Sequence, residues 1–572
     1  MTKTGALDPV DGPALRKQRG AFFTPYPIAE YLAQWAVRGG GEGRVLDPTC
    51  GEGVFLLACA RQLESTGVAA GEIAQRLHGI DVHARSLEQT AQLLGETGTG
   101  AQLMTGDFFE EPTPGQVDAR LPWMDAVIGN PPFVRYQAHR GAARARSAAA
   151  ALSQGVRLSG LASSWAATLV HASAFLAPQG RLAMVVPAEL FTVDYAEPVR
   201  LWLRERFARV HLVLFDELQF ADASEQVVLL VAGGSGGTRS FGLHRVGTGT
   251  DLPDLHAFDG DAVPPPAAGK WTDLLLPVES QTVFRQVLAG HFVDLDSYAQ
   301  LELGTVTGAN DFFAVSESTR LEYNLEPGRH LTPMLPPGGR ALRGAGFSAA
   351  DWEVLRGQGD RVWMLNPVDD HPTGGLARYL ARGKELEVDR AYKCSVRTPW
   401  WRPRVVPPPD LFMTYMSHVT PRLVTNSAGS VMVNSTHAVR LRPDAPPVAA
   451  DALPIVALNS VTMLGAEVFG RSYGGGVLKM ELKEAARLPL PDREALNAAW
   501  TRLEPRRSDL DSALRAGRWR DVVTEVDAVL LGEVLGLEPD RAERLRVAAA
   551  TLRRRRLRST DPEPSAIPGA AT

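Results

Sequence analysis

Cysteine is nearly absent: three residues, Cys50, Cys59 and Cys394, in a chain of 572. They are scattered and lack the paired spacing that zinc or a disulfide framework requires. No metal is expected, and a reducing compartment, the cytoplasm, is the expected location. No apolar run approaches the ~18 residues of a membrane-spanning helix, so no membrane association is expected. Met1 to Gln18 has no apolar stretch of the kind that directs export. A strong charge of either sign is missing too, since 60 Lys+Arg against 65 Asp+Glu give a formal net charge of -5. That sum does not advertise nucleic-acid binding, yet a whole-chain total can hide a basic cleft. There is no internal repeat.

What is present suffices for more than one core. A length of 572 residues exceeds the ~250 to 300 at which single cores stop growing, so two folded parts with an appendage are expected. Residues 26 to 38 place Ile28, Tyr31, Leu32, Trp35 and Ala36 at helical spacing behind Pro27. Apolar runs then alternate with helical stretches: 44–47, 78–81, 102–107, 126–129, 181–187, 210–216 and 226–232. This predicts an α/β fold with βα units wound on a Rossmann-like, largely parallel sheet carrying helices on both faces. The string Gly233-Gly-Ser-Gly-Gly-Thr238 and Pro264-Pro-Pro266 punctuate the chain after that array. The expected organisation is a first domain over 1–240, a transition region over 241–295, a mixed α+β domain of short strands over 296–491, and a helical extension over 492–572. Within the extension, Arg553 to Arg556 read as a solvated helix end, and the Pro/Ala-rich tail reads as disordered.

The chemistry gathers at the ends of the expected strands. In Val45-Leu-Asp-Pro-Thr-Cys-Gly-Glu-Gly53 the strand closes at Asp47, and Gly51 and Gly53 form a turn with no side chain to block a ligand at the following helix. A dinucleotide fingerprint needs a third glycine where Leu56 stands, and no Walker lysine follows, so NAD and nucleoside triphosphates are disfavoured. The second strand ends at Asp81, placed to accept both ribose hydroxyls. The third ends in Asp107-Phe108-Phe109, an acceptor for an exocyclic amine beside an aromatic platform. Any one of these acids alone reads as a helix-capping residue. Three at successive strand ends suit an adenosine without phosphates.

The fourth strand runs into Asn130-Pro131-Pro132-Phe133. The prolines stiffen the loop and remove its N–H donors. The Asn130 side-chain oxygen and the Pro131 carbonyl then offer two adjacent acceptors, with Phe133 as a stacking face. Such a pair fits an aromatic NH₂ group. Accepting both its protons favours the pyramidal nitrogen whose lone pair attacks an electrophile held in line.

These motifs resemble those of the gamma-class (TaqI-like) N6-adenine DNA methyltransferases of restriction-modification systems. The likeness runs from Gly20-Ala-Phe-Phe-Thr-Pro25 through DPTCGEG, GID, GDFF and NPPF to Arg181–Phe191. The resemblance implies S-adenosylmethionine as cofactor, held by Thr24, Pro25, Asp47, Pro48, Gly51, Gly53, Asp81, Asp107 and Phe108. It implies that Asn130, Pro131, Pro132 and Phe133 hold an adenine flipped from double-stranded DNA, at a cost of a few kcal/mol in lost stacking and pairing. Phe133 stands where many relatives have Tyr. Phrases at 304–315, 392–403, 420–439 and 470–491 are similar to the family's target-recognition domain. There Lys393, Arg397, Trp400, Trp401 and Arg402 interleave cations with aromatics, as phosphate and base contacts require. The implied partners are duplex DNA and a separate restriction endonuclease or defence-system subunit, with the chain itself a monomer.

Rival readings are weaker. Cytosine-C5 chemistry needs a Pro-Cys nucleophile, and the cysteines follow Thr49, Ala58 and Lys393. Cytosine-N4 methylation uses the same amine chemistry, and RNA or protein-glutamine methylation also uses Asn-Pro-Pro with an aromatic. A catalytically silent DNA-binding specificity subunit is the non-enzymatic alternative. Glu481-Leu-Lys483 matches the E-x-K half of a nuclease motif, but no Pro-Asp precedes it at useful distance, so it reads as chance.

Overall fold

Val45, Leu46 and Asp47 form strand β1, third from one edge of a nine-stranded sheet. The computed structural model describes residues 24–37, 43–134, 138–215, 227–247, 252, 254, 261–266, 269–473 and 476–557. The chain divides into two units, Met1–Leu275 and Leu276–Thr572.

In the first unit the other strands are β2 (Leu77–Asp81), β3 (Gln102–Thr105), β4 (Met124–Gly129), β5 (Leu176–Pro187), β6 (Arg209–Phe215), β7 (Val227–Gly233), β8 (Phe241–Val246) and β9 (Asp261–Val263). Their order is β3-β2-β1-β4-β5-β7-β6-β8-β9. Each of the seven expected runs is a strand. β1 to β5 are parallel, whereas β7 enters antiparallel between β5 and β6. Phe241 to Val263, read from the sequence as transition, supplies two more strands. The β6–β8 register pairs His211 with Gly242, extending the sheet because each added strand satisfies an open edge. The central strands are buried on both faces, hence their continuous apolar runs.

The helix Tyr26–Ala36 buries Ile28, Leu32 and Trp35, as its spacing predicts. The topology reverses direction around β1 and β4, so the carboxyl ends of these strands open onto the crevice where such sheets bind ligands. Asp47 and Asn130 both sit there.

The second unit contains a five-stranded sheet in the order Ala299–Leu303, Thr436–Leu441, Leu411–Thr414, Leu423–Asn426, Gly346–Phe347, with smaller sheets beside it. Its core gathers Phe312, Phe313, Trp352, Trp363 and Phe412. Helices dominate after Pro491, from Arg493–Leu503 to Pro539–Leu557. No single helix among the described residues is long and apolar enough to cross a membrane.

The arginine run differs from the sequence reading. Arg553 lies 5.0 Å over the Trp519 ring and the Arg556 side chain is 4% exposed, because both fall on the face of the last helix that buries Leu545, Ala549 and Leu552. The tail beyond residue 557, expected to be disordered, lies outside the described residues.

Candidate active site

The turn after β1 is built from backbone bonds. The Cys50 amide donates to the Ile80 carbonyl at 2.9 Å, tying the turn to β2. The Gly51 amide donates to Asp81 Oδ2 at 2.9 Å and the His83 amide to Asp81 Oδ1 at 2.8 Å. Gly53 (φ 82°) caps the helix Val54–Ser65 in the left-handed region. Its missing side chain serves packing more than ligand access, because a Cβ there would lie 2.5 Å from Thr90 Cγ2. Thr90 in turn donates to the Gly51 carbonyl at 2.8 Å. Of the two glycines in this turn, Gly51 is the one where a Cβ would meet no heavy atom within 4 Å outside its chain neighbours.

Asp47 is 1% exposed. One oxygen accepts from the Thr49 amide at 3.2 Å, and the other is buried with no hydrogen-bond partner among the described residues. Burial pushes its carboxyl up to about 8, against the lowering effect of the Thr49 amide and with a further push from Asp81. That value lies above the ~3.9 of an unfolded Asp, so the group's contribution to stability is full below pH ~4 and is lost as pH rises to about 8. Melting temperatures of the cofactor-free protein should therefore fall between about pH 5 and pH 8 more steeply than those of Asp47→Asn, whose amide stays neutral. Parallel pH profiles would refute this assignment.

Asp107 closes the segment after β3. Its Oδ1 accepts from the Phe109 amide at 3.0 Å, and its Oδ2 meets Arg146 at 2.8 Å. Phe108, expected as a platform, is 3% exposed and packs on His171 and Phe175 at 4.7 and 5.2 Å between ring centroids. Burial lowers His171 to about 4, so this ring is neutral at physiological pH. Phe109 and His171 border an open cavity of about 680 Å³ that continues along Glu111, Thr113 and Gln116.

The Asn130–Phe133 loop is held from two directions. Asn130 Nδ2 donates to Thr24 Oγ1 at 3.2 Å, joining positions 106 residues apart. Ser164 holds the far side. Its hydroxyl donates to the Pro132 carbonyl and accepts from the Val134 amide at 3.0 Å, while its own amide donates to the Val134 carbonyl at 3.1 Å. Phe133 is 7% exposed. A Cβ at Gly129 would come within 2.8 Å of Asp47 Oδ1, so the glycine before Asn130 lets the β1 and β4 ends meet. Beside the loop, Trp165 Nε1 donates to the Tyr195 hydroxyl at 3.0 Å, and that hydroxyl donates to Glu189.

The expected DNA-contact residues of the second unit have other engagements. Trp400 and Trp401 pack against the core, with Trp400 5.7 Å from the Phe312 ring. Arg397 donates to the Thr307 carbonyl, and Arg402 donates to Asp370 at 2.8 Å. Lys393 is exposed over the Tyr392 ring at 5.5 Å, and Tyr392, 75% exposed, is the aromatic presented there. Glu481 of the E-x-K string accepts from the Tyr415 hydroxyl at 2.9 Å and pairs with Lys479 at 2.7 Å.

Comparison with known proteins yields two family matches. Residues 12–205 match the N-6 DNA Methylase family, and residues 268–531 match the C-terminal domain of Type II methyltransferase M.Eco57I. The chain is 26% identical over 501 residues to Type II methyltransferase M.XamI of Xanthomonas campestris pv. amaranthicola, covering 84% of this chain and 86% of that protein. It is 20% identical over 475 residues to Type II methyltransferase M.AccI of Acinetobacter calcoaceticus, covering 82% and 84%. Among solved structures, the type IIG restriction endonuclease BpuSI aligns with 95% of this chain and 66% of its own, at 14% identity and a TM-score of 0.43.

Proposed function

The chain belongs to the N6-adenine DNA methylase family and is a DNA methyltransferase of type II restriction-modification systems, and from that premise we propose that S-adenosylmethionine is its methyl donor and that Asn130, Pro131 and Phe133 hold the target adenine. The observation carrying this reading is the Asn130–Thr24 hydrogen bond of 3.2 Å, which joins the first of the candidate cofactor residues to the candidate base-holding loop.

The residues fit the cofactor. The bare turn at Gly51 opens onto unfilled space. The Asp81 carboxylate is held by two backbone amides and keeps lone pairs for two ribose hydroxyls. Asp107 keeps acceptor capacity for an adenine amine, and the buried, unpartnered oxygen of Asp47 suits a donor or cationic group. Thr24, Pro25, Pro48, Gly53 and Phe108 shape the walls. When bound, S-adenosylmethionine supplies an electrophilic methyl sulfonium.

The chain's own residues do the rest by position and hydrogen bonding. Asn130 and the Pro131 carbonyl accept the two amine protons, turning the nitrogen lone pair toward the methyl group, and Pro132 stiffens the loop. Phe133 stacks on the base. No covalent nucleophile is required. The substrate is duplex DNA, with Lys393, Arg397, Trp400, Trp401 and Arg402 marking the stretch of the second unit that meets it. The protein acts as a monomer, and any cognate nuclease is a separate chain.

The test is to incubate the protein with unmethylated DNA and methyl-labelled S-adenosylmethionine, digest to nucleosides and identify the labelled one by mass spectrometry. N6-methyladenine is expected. N4-methylcytosine would overturn the base, and absence of label despite DNA and cofactor binding would overturn the activity.

Ser164 acts through the loop as a positioning residue. Ser164→Ala removes two of its three bonds to Pro132 and Val134, at ~1 kcal/mol each, so kcat should fall roughly tenfold or more with the KM for cofactor unchanged. Ser164→Thr, which keeps the hydroxyl, should retain most of the activity. An unchanged kcat in the alanine variant would remove this role.

A further inference from the structure

Between Asp125 and Glu189 the sequence contains no acidic residue. In a chain with 65 Asp and Glu that gap sets the local sign of charge, and it begins at the Asn130–Phe133 loop. The helix Gly141–Ser153 and its flanks carry Arg140, Arg144, Arg146 and Arg157. Arg146 is neutralised by Asp107 at 2.8 Å and Glu110 at 3.3 Å. The others are not. Arg144 donates to the neutral carbonyl of Gly160, Arg140 and Arg157 are exposed, and among the described residues none of the three forms an ion pair. The exposed residues along the helix are Gly141, Ala142, Ala143, Ala145, Ala149, Leu152 and Ser153, all but Leu152 small enough for a backbone to approach closely. The helix also has no acid in its first turn, so its positive N-terminal end is uncompensated.

This surface is fixed relative to the candidate active site. The helix packs against Ser164–Ala172, whose first residue grips Pro132 and Val134. Arg146 ties it to Asp107, and His139 Nε2 bonds the Ser147 hydroxyl at 2.8 Å. A row of unpaired guanidinium groups matches the regularly spaced charges of a polyanion. An enzyme that extracts a base must also hold the strand on which the base is carried.

We propose that Arg140, Arg144 and Arg157 form a sequence-independent seat for the phosphate backbone of the substrate DNA on the first unit, beside the Asn130–Phe133 loop. The inference rests on the DNA-methyltransferase reading and adds where that unit holds its substrate.

The test measures binding of the full chain to a random-sequence duplex by fluorescence anisotropy from about 50 to about 200 mM salt. Wild type is compared with Arg140→Gln/Arg157→Gln and Arg140→Lys/Arg157→Lys, leaving Arg144 and its Gly160 bond intact. Each lost phosphate contact lowers the slope of log K against log salt by ~0.9, so the glutamine variant should bind more weakly with a slope smaller by about 1.8, and the lysine variant should regain it. Calorimetric affinity for S-adenosylhomocysteine should be the same in all three. An unchanged slope in the glutamine variant overturns the proposal, as does a lysine variant that fails to restore it. Methyl transfer to DNA by wild type in the same buffers separates this inference from its premise: transfer with an unchanged slope removes only the phosphate seat, and absence of wild-type DNA binding removes both.

Discussion

Asn130→Ala is expected to lower the rate of methyl transfer roughly a thousandfold, the scale seen when one preorganised hydrogen-bond partner of a reacting centre is removed, while cofactor and DNA affinities stay near wild type. The adenine amine is a poor nucleophile because its lone pair is delocalised into the ring. Two acceptors matter more as that lone pair localises than they do for the bound ground state, so the loss belongs in kcat. The loop itself should survive the substitution. Its shape is held by Ser164 at Pro132 and Val134 and by its own prolines, whereas the Asn130 side chain contributes the 3.2 Å bond to Thr24. Single-turnover transfer, calorimetry with S-adenosylhomocysteine and DNA anisotropy separate the three properties. Loss of DNA binding with chemistry intact would assign Asn130 to recognition and refute the catalytic role.

Much of this site is written locally. Each of the first seven strands is an apolar run closed by Asp, Gly or Pro, and period and punctuation suffice to find it. Asp47, Gly51, Asp81, Asp107 and Asn130 follow because they sit at strand ends, where a parallel sheet places its ligands. The residues that position them are less visible. Ser164 reaches the loop from 30 residues away, and Thr90 closes on Gly51 from 39 away. A Ser or Thr on the buried face of a helix carries no local signal of either contact. Trp400 and Trp401 show what a local pattern leaves out. Aromatics among arginines read as a binding surface, yet tertiary packing draws both rings onto the core and leaves Tyr392 outside. Arg553 to Arg556 did carry a signal. Leu545, Ala549, Leu552 and Arg556 recur at helical spacing, so the run continues a buried face and Arg556 needs a buried partner.

That partner is Glu467, and its removal is expected to be the most destabilising single change in the second unit. Arg556 meets Glu467 in a two-pronged contact, Nε to Oε2 at 2.9 Å and Nη2 to Oε1 at 2.7 Å, with side-chain exposures of 4% and 5%. Its remaining donors satisfy the Gly476 carbonyl and, at 3.0 Å, that of His418. One guanidinium thus joins the helix Pro539–Leu557 to the helix Ser460–Phe469 and to two loops. The pair itself need not add net stability, because desolvating both charges offsets their attraction. Breaking it is different: Glu467→Ala leaves a buried cation with no counter-charge, at ~3–5 kcal/mol, or a drop in melting temperature on the order of 10 °C for a unit of this size. Replacing both groups with apolar residues of similar volume, Glu467→Leu with Arg556→Met, should recover most of the loss, since no charge is then stranded. Calorimetric melts of the full chain read both outcomes. A Glu467→Ala melt indistinguishable from wild type would mean that water reaches Arg556, and a double variant as unstable as the single would mean that shape and not charge holds the last helix in place.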